Sequence, residues 1–181
     1  MKGLTDAKPA ALLLALMLVT GLSPARLASA IGDPTSTVPQ NHRESFAIGK
    51  KGDRVEFLAP AGWERTAMSN SNTLTYTKDK NVMKIILLPN VADREIGVRR
   101  HIQTSAQNGE LIQIEDEKTR TPNGFEGHSC IVSNRDNSRR GSCAIVGRGD
   151  FLIKVVSTTE RGSDPLPLEA VVTSLTFKEA K

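Results

Sequence analysis

The sequence predicts an α+β fold, an antiparallel β-sheet of about six to seven strands covered by two helices. Three observations lead to it. Short β-branched and apolar runs recur between Gly, Pro, Asn and Asp turns, which is the punctuation of hairpins. Two other stretches, near 91–107 and 165–175, repeat apolar residues at helical spacing. The run VMKIILL (82–88) is the most apolar after the leader and reads as a central strand, and FLIKVV (151–156) reads as a second strongly apolar strand.

The first thirty residues stand apart from this pattern. Lys2 and Lys8 make a basic start, and AALLLALMLVTGL (10–22) follows as a nearly unbroken apolar run. Its 13 residues are fewer than the roughly 18 that a spanning helix needs. Small residues ending at Ala28-Ser29-Ala30 complete the order of a secretory signal peptide, with cleavage expected after Ala30. The expected location is therefore secreted or periplasmic, in the cell envelope. Retention of the segment would instead make it an anchor.

Residues 31–45 (IGDPTSTVPQNHRES) are polar and hold two prolines, so they read as a flexible or extended lead-in. A single globular domain is expected over 46–181. Phe46 and Ile48, then Val55 and Phe57, alternate with polar neighbours around Gly49–Gly52, which reads as a hairpin. Pro60-Ala61-Gly62 turns the chain into Trp63. Leu74 and Tyr76 mark one face of the next strand. Pro89-Asn90 ends the central strand at 82–88, and Asn90 is the expected cap of a helix over 91–107. Glu95 and Arg99 fall inside that helix's apolar arc and make the stripe imperfect.

A strand is expected at Leu111, Ile112 and Ile114, then a turn at 121–124. The hairpin 128–146 follows. If Asp136-Asn137 lies at its centre, Cys130 stands directly opposite Cys143. Two cysteines in an extracytoplasmic chain favour a disulfide. Last, Asp164-Pro165 supplies a cap and a first-turn proline for a helix through Leu168, Val171, Val172 and Leu175.

Charge and composition narrow the function. The chain carries a net +4; three cations and one anion leave with the leader, which lowers it to +2. That is too mild for nucleic-acid binding. Five Phe, one Trp and one Tyr are too few for a sugar-stacking or base-stacking platform.

Three stretches resemble the PsbP-like fold family of bacterial envelope and secreted proteins. FLAPAGW (57–63) is similar to its early strand ending in proline and Gly-Trp. The strand 82–88 with its following helix is similar to the family's central strand and first helix, and LEAVVTSLTF (168–177) to its closing helix. The chain departs from the bacterial lipoproteins of that family in lacking a lipidation cysteine. The resemblance implies a PsbP-like α/β sandwich without enzyme activity. It implies a module that docks on a membrane-protein complex or binds an apolar ligand, and it brings no active-site residues with it.

The residues themselves carry little catalytic signal. His128 near Cys130 suggests a thiol enzyme, but no C-x-x-C exists and the compartment favours the bridge. His128, Cys130 and Cys143 are three imaginable metal ligands, yet an oxidised pair does not ligate zinc and no fourth ligand is evident. Ser129 and Ser142 lack the G-x-S-x-G elbow. Glu115, Asp116 and Glu117 alternate faces and read as a solvated edge. His42 and His101 are isolated and read as solvated.

Arg135, Arg139, Arg140 and Arg148, with Arg99-Arg100, could form a basic face toward anionic lipid or an acidic protein. Trp63 could anchor a partner, although its setting after Pro-Ala-Gly favours packing at a sheet edge. The expected function is a non-enzymatic, monomeric secreted or envelope accessory module, without cofactor or metal, binding a protein complex or an apolar or lipid ligand. A small secreted enzyme is the alternative. So is an inhibitor or immunity-type protein that uses the 136–137 hairpin as a wedge.

Overall fold

The computed structural model describes residues 35–49, 52–66 and 72–180. The segment 1–30, where a signal peptide is expected, lies outside them, as does part of the turn at 49–52. Eleven strands and two helices form among the described residues. In chain order they are β1 (Thr35–Thr37), β2 (Arg43–Ile48), β3 (Asp53–Leu58), β4 (Glu64–Thr66), β5 (Thr73–Lys78) and β6 (Asn81–Leu88). Then come α1 (Arg94–Gln107), β7 (Glu110–Arg120), β8 (Glu126–Asn134), β9 (Arg139–Arg148), β10 (Phe151–Glu160), α2 (Glu169–Thr173) and β11 (Thr176–Lys178).

The α+β class and the antiparallel pairing hold, but the strands divide between two sheets. The large one has the order β1-β4-β5-β6-β10-β9-β8-β7, and the small one β11-β3-β2. The expected six to seven strands in one sheet are therefore corrected to eight and three. Three of the additional strands, β1, β4 and β11, are only three residues long. They form because the neighbouring backbone offers hydrogen bonds, not because of their own pattern.

The large sheet is the middle layer. One face packs on the small sheet and α2, through a core that includes Phe57, Trp63, Tyr76, Ile85, Ile153 and Leu175. The other face packs beneath α1, where Val98 meets Cys130, Cys143, Ile145, Leu152 and Val156. β10 lies between β6 and β9 and is buried on both faces. That double burial explains why FLIKVV shows no alternation: Ile153 and Val155 face one core, and Leu152 and Val156 the other.

The hairpin register came out as its symmetry predicts. Cys130 pairs with Cys143, and the two are joined as a disulfide with Cα atoms 4.8 Å apart. The turn is longer than two residues. Asn137 donates its N–H to the Asn134 carbonyl (3.0 Å) and takes φ 55°, so residues 135–138 form the loop.

Three boundaries differ from expectation. The lead-in 31–45 is partly inside the domain: β1 pairs with β4, Val38 is buried, and Val38 exchanges backbone bonds with Gly62 and Trp63. Asp93, not Asn90, caps α1, its Oδ1 accepting the Ile96 N–H at 3.0 Å. Asn90 instead turns the chain at φ 58°. The second helix begins at Glu169, beyond the Asp164-Pro165 pair, and Leu168 at its cap offers no side-chain bond.

Candidate functional site

α1 covers only part of its sheet face, and the chemistry of the domain collects around it. Its Val98 and Ser105 are buried toward the sheet. Gly97 lets the helix approach closely: a Cβ there would lie 2.4 Å from Val91 Cγ1 and 3.3 Å from Leu152 Cδ1. Glu95, one of the two charged residues in the apolar arc, turns toward His128 on β8, with 3.5 Å between Oε1 and Nε2.

A groove runs along each flank. On the β7–β8 side a cavity of about 530 Å³ has Val98, Ile145 and Leu152 at its base. Its rim mixes Arg94, Lys118 and Arg120 with Asp93, Glu95 and Glu126. Cations and carboxylates balance there, and Arg120 is already paired with Glu126 at 2.9 Å.

The other flank is different. Between α1 and the 88–92 segment lies a groove of about 480 Å³, walled by Leu88, Pro89, Val91, Ala92, Ile96 and Gly97. Ile96 is 47% exposed there. Asp93 stands at one end, and Arg100, His101 and Thr104 toward the other, one helical stripe about 16 Å long. The guanidinium of Arg100 makes no hydrogen bond or ion pair among the described residues.

A buried ion pair underlies the C-terminal end of the helix. Lys154, 1% exposed on β10, donates to Glu110 at the start of β7 and to Ser105 Oγ on α1 (3.3 Å). Burial pushes the Glu110 carboxyl up, and the Lys154 hydrogen bond and charge outweigh it, holding Glu110 below its ordinary value. His101 sits against this pair, half-buried, rather than in solvent as the sequence suggested. Burial, then the Lys154 charge, lower its pKa to about 4, and its Nε2 is buried without a hydrogen-bond partner. Neither Lys154 nor Glu110 was singled out by sequence. The available signal was a lysine interrupting the most buried strand.

The sequence-nominated residues scatter. Trp63 is only 5% exposed and packs in the larger core, so its ring is not presented to a partner. The arginines do not make one face. Arg139 and Arg148 stand at opposite ends of β9, about 30 Å apart at strand rise. Arg148 Nη1 donates to the Asn123 carbonyl (3.0 Å), and its guanidinium lies 5.4 Å from the Phe177 ring centroid. Arg139 donates to the Lys80 (2.7 Å) and Thr158 (3.2 Å) carbonyls, and Arg135 to that of Ala106 (3.2 Å). Those bonds fasten the hairpin to its neighbours. Arg140 is exposed beside them.

Cys130 and Cys143 are bonded to one another, so neither is a thiolate nucleophile or metal ligand. Ser129 points to the face opposite His128 and shares a 2.6 Å hydrogen bond with Thr119. The strand therefore separates the serine from the histidine.

No family model matches the chain. No curated protein matches it either. Among solved structures, it is similar to a crystal structure from Bacteroides thetaiotaomicron VPI-5482, with 10% identity and a TM-score of 0.38, over 69% of this chain and 45% of that one. It is also similar to the solution structure of cyanobacterial PsbP (CyanoP) from Synechocystis sp. PCC 6803, with 15% identity and a TM-score of 0.47, over 82% of this chain and 99% of that one.

Proposed function

We propose that the chain is a non-enzymatic accessory module, secreted or held in the cell envelope, that binds an apolar or lipid ligand in the groove between α1 and the 88–92 segment. The observation behind this reading is the groove itself: a concave apolar wall with Ile96 half-exposed and one free cation at its side. Its volume of about 480 Å³ is within the range of small-ligand sites. The disulfide supports a compartment outside the cytoplasm.

Titration with the fluorescent apolar probe 1-anilinonaphthalene-8-sulfonate tests it. Saturable binding at one site is expected, lost in Ile96→Asp while circular dichroism is unchanged. No saturable binding, or binding indifferent to Ile96→Asp, would overturn the reading.

A further inference from the structure

The apolar groove has a direction. At the start of α1, the Asp93 carboxylate accepts the Ile96 N–H and holds its negative charge at the positive end of the helix dipole. Seven residues along, about 10 Å at helical rise, the Arg100 guanidinium has no partner among the described residues. His101 beside it is held neutral at ordinary pH by burial and by Lys154. The groove thus offers an apolar wall over Leu88, Val91, Ala92 and Ile96, with the Asp93 carboxylate at one end and the Arg100 guanidinium toward the other.

Resting on the reading that this groove takes an apolar ligand, we infer that the ligand is a fatty-acid-like, single-chain amphiphile with a carboxylate head at Arg100 and its chain directed toward Val91 and Ala92. The geometry favours one chain, because the groove is a single channel between α1 and the 88–92 segment. The guanidinium fork matches a carboxylate in bidentate fashion. One free cation balances one charge, whereas a phosphate monoester brings nearly two. Asp93 disfavours the reverse orientation by repelling an anionic head.

Isothermal titration of the full chain with decanoate, decanol, decyltrimethylammonium and decyl phosphate, each below its micelle concentration, tests this. Decanoate is expected to bind about tenfold or more tighter than decanol and decyltrimethylammonium, and tighter than decyl phosphate. Arg100→Glu should invert the order of decanoate and decyltrimethylammonium, and Arg100→Lys should keep it. Equal binding of all four leaves the apolar groove standing and overturns the carboxylate assignment. A preference for decyl phosphate, or a decanoate preference that survives Arg100→Glu, also overturns that assignment. Binding of none of them removes both the groove reading and the inference.

Discussion

Lys154 and Glu110 form an ion pair beneath the C-terminal end of α1, where the lysine is 1% exposed and the glutamate side chain 31% exposed. The asymmetry decides how the pair responds to substitution. Glu110→Gln leaves a deeply buried ammonium without its counter-charge and should cost about 2–4 kcal/mol. Lys154→Met leaves a carboxylate that can still reach water and puts an apolar chain of similar length into the core, for about 1 kcal/mol or less. Urea denaturation of the two variants checks the order. Equal losses would mean that Glu110 is more enclosed than its exposure indicates.

His101 makes stability pH-dependent from above. Its folded pKa, about 4, lies below the ordinary 6.5, so between those values the unfolded chain takes up a proton that the folded chain refuses. The contribution of His101 should be flat above pH 6.5 and fall by about 1–3 kcal/mol as the pH drops toward 4. The groups facing the imidazole are Lys154, which opposes protonation, and Glu110, which favours it. Glu110 adds a second loss below its ordinary 4.5, because a carboxylate held low contributes stability that disappears as it is protonated. His101→Gln should remove the first loss and keep the second. Denaturation midpoints at pH 7.5, 5.5 and 4, read for both chains, separate them.

The bridge between Cys130 and Cys143 closes a short loop, 13 residues apart in sequence, and should contribute about 3 kcal/mol. The double Cys130→Ala, Cys143→Ala variant is expected to lose about that much and to keep its far-ultraviolet circular dichroism, because β8 and β9 each have a second strand partner. Mass spectrometry of protein recovered from its own compartment should show the two cysteines linked, two hydrogens lighter than the dithiol. Free thiols there would refute the extracytoplasmic reading.

That hairpin was legible because its information is local: the turn and two cysteines disposed symmetrically about it specify one register. β10 was legible for a related reason, since a strand buried on both faces has no polar side to hide. β1 was not, because Thr35, Ser36 and Thr37 are all exposed and pair only with the backbone brought up by β4. The site was harder still. His101, Glu110 and Lys154 meet across more than forty residues of sequence, and only the stacking of α1 on β10 unites them. The helix expected over 91–107 takes in Ile96 and Arg100. Helical spacing could not tell which flank the 88–92 segment would wall.

Gly141 lies where a side chain has no room. A Cβ there would be 1.8 Å from the Ser157 carbonyl oxygen and 2.8 Å from Thr158 Cα, both backbone atoms of the central strand β10. Neither can yield without pulling β10 out of register with β6 and β9. Gly141→Ala should therefore cost about 3 kcal/mol, at the upper end of overpacking losses. Gly149, in the β9–β10 turn at φ 65°, has nothing within 4 Å of the same position. Gly149→Ala meets only the left-handed backbone penalty, about 1 kcal/mol. Thermal melts of the two variants compare a steric cost with a conformational one. If Gly141→Ala proved the milder, the close approach of β9 to β10 would have to be looser than the register of the eight-stranded sheet allows.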